Sequence, residues 1–344
     1  MSLIHPKYKV AVVQAAPVWL DLDATVDKCI RLIDEAADQG CKLIAFPETF
    51  IPGYPWHIWL GAPAWAIGRG FVQRYFDNSL AYDSAPADKL RQAVKRAGLT
   101  AVLGLSERSG GSLYIAQWLI GPDGKTIAQR RKLRPTHAER TAFGEGDGSD
   151  IAVHTRPDIG RLGALCCWEH LQPLTKYAMY AQDEQVHVAA WPSFSLYDPF
   201  AHALSWETNN AASKVYAVEG SCFVLAPCAV VSQAMVDELI DSEDKKPLLN
   251  AGGGHAVIYG PDGASLAPKL PEDQEGLLIA EIDLAAIGVA KNAADPAGHY
   301  SRPDVTRLLF NNKPARRVEH FSLPVDAVEA EGSTAPPGGA PGAR

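Results

Sequence analysis

No stretch of this chain approaches the roughly 20 apolar residues that a membrane helix needs, and residues 1–10 hold no continuous apolar core of a secretory leader. Long basic runs are missing too, and with a formal net charge of −8 nothing recommends a nucleic-acid surface. The spacings C-x-x-C, H-E-x-x-H and H-x-H do not occur and the ten histidines do not pair at ligand distances, so neither a metal nor a cofactor is expected. Six cysteines (Cys29, Cys41, Cys166, Cys167, Cys222, Cys228) lack the regular spacing of a disulfide framework. Their expected state is the free thiol of a reducing compartment, mostly packed as small hydrophobes. The expectation is a soluble, cytoplasmic protein with no membrane and no nucleic-acid partner.

What the chain does have is length and apolar content: 344 residues, 47% hydrophobic, with no internal Pro/Gly/Ser-rich linker. One large domain over 1–310 is expected, followed by an extension at 311–344 that is largely disordered from about 325, where Pro, Gly, Ser and Ala dominate. Strand and helix patterns alternate along the domain. Residues 8–14 read as a strand, 22–37 as a helix, 42–46 as a buried strand, 85–97 as a helix and 100–105 as a strand. Gly-Pro-Asp-Gly recurs at 121–124 and 260–263, each time as the turn of a β-hairpin. The second half repeats the plan with a strand at 161–166, a helical pattern at 171–182, a strand at 186–190, a helix from about 199 to 217, and strands at 221–226 and 277–282. Right-handed crossovers with helices covering two mixed sheets predict an α/β fold, a four-layer α-β-β-α sandwich. Two segments fit poorly: the aromatic-rich 53–71, and the acidic, helix-like 232–246 with Met235, Leu239 and Ile240 on one side. Both read as pocket walls or partner surfaces.

The chemistry-bearing residues gather at strand ends. Cys166-Cys167-Trp168-Glu169-His170 lies where a strand pattern gives way to a helical one, a place where a helix N-terminus favours thiolate. If the strand runs through both cysteines, one faces the core and the other a site, and position alone leaves the choice open. Glu48 follows the apolar run Leu43-Ile44-Ala45-Phe46, and Lys132 ends the strand-like run 126–131. Alone, Lys132 in Arg130-Arg131-Lys132 reads as a solvated charge run and Glu48 as a loop carboxylate. Glu139 follows Lys132 by seven residues, beyond a Pro135 turn that can fold its carboxylate back toward the ammonium. His170 reads as capping or orienting the local helix rather than as a base, and His137 fits either role.

In order along the chain, Phe46-Pro47-Glu48, then Lys132-Leu133-Arg134-Pro135-Thr136-His137-Ala138-Glu139-Arg140, then Cys167-Trp168-Glu169-His170 resemble the nitrilase branch of the carbon-nitrogen hydrolases. The stretches 144–150 and 298–304 match as well, so the resemblance runs from about residue 8 to 310. It implies Cys167 as nucleophile, Glu48 as proton acceptor and donor, Lys132 as the charge that meets developing negative charge on nitrogen, and Glu139 as the residue that holds Lys132 or the substrate. It also implies hydrolysis of an organic nitrile, arylaceto- or aliphatic, to carboxylic acid and ammonia through a thioimidate and a thioester, with amide as a by-product. Tyr54, Trp56, Trp59, Trp168, Trp191, Ser193 and Phe194 are the expected substrate wall, although core packing is the commoner fate of tryptophan. Self-association into a dimer and a spiral homo-oligomer is the further implication. The rival readings are an amidase or cyanide-hydrolysing enzyme of the same superfamily and a non-catalytic filament-forming protein.

Overall fold

The computed structural model describes residues 5–319; the tail expected to be disordered from about 325 lies outside them. In chain order the elements are β1 (Lys7–Ala15), α1 (Leu22–Asp38), β2 (Cys41–Ala45), α2 (Pro63–Gly68), α3 (Phe71–Asn78), α4 (Ala85–Ala97), β3 (Thr100–Ser109), β4 (Ser112–Ile120) and β5 (Thr126–Arg131). The second half contributes β6 (His154–Arg156), β7 (Gly160–Cys166), α5 (Pro173–Tyr180), β8 (Val186–Ala190), α6 (Trp206–Gly220), β9 (Phe223–Ala226), β10 (Cys228–Ala229), α7 (Gln233–Leu239), β11 (Val257–Tyr259), β12 (Gly276–Asp283) and α8 (Ala285–Ala293). One sheet runs β10-β1-β2-β3-β4-β5 with β12 antiparallel along β1, and the other runs β11-β9-β8-β7-β6.

Period-two alternation explains the layers. Val10 and Val12 of β1, Leu43 and Ala45 of β2 and Val102 of β3 point into a core shared with Leu162, Ala164, Val186 and Val188 of the second sheet. Their neighbours Ala11, Val13, Ile44, Ala101 and Leu103 point the other way, into a core with Val26, Ile33, Leu90 and Val94 of α1 and α4. The first sheet is therefore apolar on both faces, and each fully buried aliphatic side chain contributes about 1.5–3 kcal/mol. α5 and α6 cover the outer face of the second sheet through Met179, Tyr180, Tyr216 and Ala217. The result is the expected α-β-β-α sandwich.

Several elements differ from the sequence reading. The helix expected from about 199 begins at Trp206, because the Ser205 side chain accepts the N–H of Thr208 and caps it there. The 171–182 pattern splits: a 3-10 turn takes Cys167–Leu171, and α5 starts only at Pro173, whose fixed φ suits a first helical position. After the second Gly-Pro-Asp-Gly turn the return strand shrinks to a single bridge between Tyr259 and Ser265. Segment 232–246 is less of a surface than its pattern suggests. Met235 and Leu239 are buried against Trp19, Tyr54, Trp56 and Phe71, so the two irregular segments pack on each other. Ile67 and Val72 remain exposed.

Candidate active site

Three strand ends and one 3-10 turn converge between the sheets. Beyond β2, Phe46 N–H donates to Val102 and Glu48 N–H to the Trp191 carbonyl at 3.2 Å, tying the Glu48 loop to both sheets. Gly104 on β3 makes room for that loop: a Cβ there would lie 1.8 Å from the Pro47 carbonyl oxygen. Lys132, one residue past β5, is held by its N–H on the Ile115 carbonyl and by Gly146 N–H on its own carbonyl. The capping box that starts the 3-10 turn His137–Thr141 aims Glu139, whose Oε2 accepts the Thr136 N–H at 2.6 Å.

The Lys132 ammonium bridges two carboxylates, 2.8 Å from Glu48 Oε1 and 2.7 Å from Glu139 Oε2. All three side chains are buried, so Lys132 is no solvated charge run. Glu139 Oε1 accepts the Tyr54 hydroxyl at 2.7 Å, and Trp59 Nε1 donates to that hydroxyl at 3.1 Å. Tyr54 thus contributes a polar contact that the expectation of an apolar wall did not contain. The second oxygen of Glu48, Oε2, has no hydrogen-bond partner among the described residues. Burial, with Glu139 nearby, raises the Glu48 pKa despite the opposing pull of Lys132. Burial alone would lower that of Lys132, but the two carboxylates outweigh it and keep the ammonium charged.

Cys167 follows β7 with φ +45°, a left-handed conformation that side chains other than Gly, Asn and Asp seldom adopt. It opens onto an aromatic cavity, whereas Cys166 is buried on the opposite side among Leu113, Ile115 and Phe143. Cys167 itself opens a 3-10 turn of only five residues, and the expected helix-terminus effect does not prevail. Burial first, then the Glu48 carboxylate, push the thiol pKa up, Lys132 opposing, so the resting group is a thiol.

Glu169 anchors the turn that carries Cys167. Its two oxygens accept Arg130 Nη2 at 2.7 Å, Arg130 Nη1 at 2.9 Å, Cys166 N–H at 2.7 Å and Leu133 N–H at 2.8 Å. Burial would raise its pKa, but Arg130 and the backbone donors hold it below the usual value. One carboxylate therefore clips the end of β5 to the end of β7. Sequence reasoning assigned neither Arg130 nor Glu169 a role; the available signal was the two-residue spacing that puts Arg130 and Lys132 on one side of the strand.

All seven expected wall residues, Tyr54, Trp56, Trp59, Trp168, Trp191, Ser193 and Phe194, line the cavity above Cys167, joined by Thr136, Leu204 and Asn209. Some are held by the core as well. Trp191 is buried with Nε1 on Ser213 Oγ, Trp168 Nε1 donates to Asn209, and Ser193 Oγ bonds Ser195 and the Gly252 carbonyl. His137, at φ +45°, stacks on Trp59. His170 does more than orient a helix: Nδ1 lies 2.6 Å from the Cys167 carbonyl oxygen, and Nε2 lies 2.9 Å from His187 Nε2.

The model of the carbon-nitrogen hydrolase family matches residues 9–292. A nitrilase of Pseudomonas syringae pv. syringae (strain B728a) is 60% identical over 94% of this chain and 96% of its own. An arylacetone-specific nitrilase of Alcaligenes faecalis is 51% identical over 92% of this chain and 88% of its own. Among solved structures, the C. elegans NitFhit protein superposes with a TM-score of 0.69 at 19% identity, covering 92% of this chain and 70% of that one, a likeness of fold.

Proposed function

The chain belongs to the carbon-nitrogen hydrolase family, and on that premise we propose that it is a nitrilase with Cys167 as nucleophile. The observation that carries this reading is the placement of one thiol beside a buried carboxylate–ammonium–carboxylate row, under an aromatic cavity. A nitrile carbon is a weak electrophile, and attack on it drives negative charge onto nitrogen. Glu48, in its ionised form, takes the Cys167 proton through its unpartnered oxygen as sulfur bonds to carbon. Lys132 lies where the developing charge on nitrogen is met, and the protonated Glu48 returns its proton to that nitrogen, leaving a thioimidate. Water adds to the C=N carbon with Glu48 as base, ammonia leaves from the tetrahedral adduct, and a thioester remains. A second water releases the carboxylic acid and regenerates the thiol. If the tetrahedral adduct expels the thiol instead, the product is the amide.

Glu139 pairs with the Lys132 ammonium alongside Glu48 and takes its own orientation from Tyr54 and Thr136. The aromatic cavity favours a medium-sized arylaceto- or aliphatic nitrile. A panel of aryl, arylaceto- and aliphatic nitriles, cyanide and amides, with ammonia and acid quantified, tests the reading. Nitriles should turn over fastest, Cys167→Ala should abolish turnover, Cys166→Ala should retain most of it, and a trapped adduct should map to the Cys167 peptide. Faster turnover of amides or cyanide, or equal loss in both cysteine variants with folding intact, sinks the assignment.

The same proposal includes self-association into a dimer and a spiral homo-oligomer in the cytoplasm. Exposed apolar side chains support it, Ile67 and Val72 at one place and Leu174, Tyr300 and Leu309 at another, as do six buried cysteines without a disulfide. A monomeric mass in light scattering at micromolar concentration would refute the assembly.

A further inference from the structure

Joined to the nucleophile's carbonyl, with none of its side chains lining the cavity, is a row of buried polar groups that the proposed reaction does not use. From the Cys167 carbonyl it runs to His170 Nδ1 at 2.6 Å, from His170 Nε2 to His187 Nε2 at 2.9 Å, and from His187 Nδ1 to Glu184 Oε1 at 2.7 Å. Tyr216 OH closes the row on Glu184 Oε2 at 2.5 Å. None of the four side chains is more than 1% exposed. The row is built into the sheet. Gly163 on β7 is the register partner of His187 on β8, and a Cβ at Gly163 would lie 1.9 Å from Glu184 Oε1. The Tyr216 ring stacks on His187 with centroids 3.8 Å apart.

The atoms fix the direction of this row. A carbonyl oxygen only accepts, so His170 Nδ1 carries a hydrogen. A neutral His170 then presents the Nε2 lone pair to His187, whose Nε2 must be the donor. His187 Nδ1 in turn needs a proton between itself and Glu184 Oε1, on either atom, while Tyr216 donates to Glu184 Oε2. The row as a whole is neutral and holds one removable proton. Take that proton away and His187 Nδ1–H turns to the carboxylate, His170 Nε2 becomes the donor, and a bare Nδ1 lone pair faces the Cys167 oxygen.

We propose that Glu184, His187 and His170 are positioning residues: a one-way hydrogen-bond relay that grips the Cys167 carbonyl, holds the left-handed nucleophile turn, and lets go when the relay loses its single proton at alkaline pH. The inference rests on the reading of Cys167 as nucleophile. The groups that face Glu184 are His187 from β8, Tyr216 from α6, Tyr180 from α5 and Cys222 ahead of β9; Arg130, Glu169 and Lys176 act on the two histidines from farther off. Desolvation dominates for all three relay members, lifting Glu184 to about 8, lowering His170 to about 3 and lowering His187. Both imidazoles are thus neutral and the acid keeps its proton through neutrality, one of the two arrangements that the geometry allows.

The test compares Glu184→Gln with Glu184→Leu on the full-length protein, with Cys167→Ala as control. The Gln amide donates to His187 Nδ1 and accepts from Tyr216 but has no proton to lose. It should keep at least about a third of the kcat at pH 7 and move the alkaline limb of kcat up by about one pH unit or more. Leu leaves His187 and Tyr216 unpartnered and should lower kcat by about tenfold, the scale of one hydrogen bond, with KM little changed. An alkaline limb that coincides in wild type and Glu184→Gln overturns the relay, even if Glu184→Leu fails to fold. So does a Glu184→Leu protein with undiminished kcat. A Cys167→Ala protein that still turns over nitrile overturns the nucleophile reading instead, which separates the two failures.

Discussion

Two cations two residues apart near the end of β5 meet carboxylates in opposite ways. Arg130 lies against Glu169, whose oxygens take four donors between them. Lys132 lies between Glu48 and Glu139, and leaves Glu48 Oε2 without a partner among the described residues. Burial is nearly complete in both places, so burial alone does not distinguish them. Satisfaction of the oxygens does: the saturated carboxylate has its pKa lowered and the unsaturated one has its pKa raised. A saturated buried ion pair holds chain segments together. An unsaturated one retains a lone pair for a proton in transit, which is what a base needs.

Glu48→Gln is the strongest way to break the contrast. The amide keeps the shape and a contact to Lys132 but loses the base, so kcat should fall by about 10²–10⁴-fold, the range for removing a general base. The urea midpoint should stay at or above that of wild type. If Glu48→Gln unfolds the protein while sparing the activity of what remains folded, the two clusters have exchanged their proposed roles. Arg130→Leu should do the opposite kind of damage. It strands Glu169 as an unpaired buried charge and should cost about 3–5 kcal/mol of stability, readable by chemical denaturation. Activity per folded molecule should fall less than in Glu48→Gln, because Cys166 and Leu133 still donate to Glu169. A fully stable Arg130→Leu protein would show that the clip between β5 and β7 is not a determinant of the fold.

The layered sandwich was legible because β1, β2 and β3 are compact apolar runs, their alternation broken only by a register shift at Lys9/Val10, and helices such as α4 carry their own boundaries; Ala85–Ala97 ends at Gly98, in left-handed conformation. The strand-end positions of Glu48, Lys132 and Cys167 were legible for the same reason. What the sequence concealed depends on contacts between distant segments. Glu169 meets Arg130 39 residues away, and Tyr54 meets Glu139 across 85. No local pattern announces either. His170 and His187 are 17 residues apart and join only because β7 and β8 pair in parallel register. The early part of α6 was misread because residues 199–205 carry helix-compatible residues but surrender their start to the Ser205 cap. Segment 232–246 looked like surface because its partner stripe, 53–71, is equally irregular, and neither reveals alone that they bury one another.

The smallest expected effect, and the one that sharpens the comparison most, is on the pH dependence of stability. Glu48 has a folded pKa above its unfolded value, lifted to about 8 from 4.5. Its contribution is whole below the unfolded value and is lost as pH rises toward the folded one. Glu169 is depressed, so its contribution is present above the ordinary carboxylate range and is lost only as pH falls through the folded value. Between pH 5 and about 8, therefore, Glu48 tilts stability downward while Glu169 adds no slope, with an upper bound of about 1.4 kcal/mol per pH unit for one whole proton. Glu184 tilts the curve the same way as Glu48, and the buried histidines tilt it oppositely toward acid. Comparing Glu48→Gln with wild type cancels those shared contributions. Urea unfolding at pH 5.5, 6.5 and 7.5 should show the variant losing less stability per unit than wild type, the gap widening with pH. Parallel curves would mean that Lys132 holds Glu48 ionised throughout, and that the unpartnered oxygen is satisfied in solution after all.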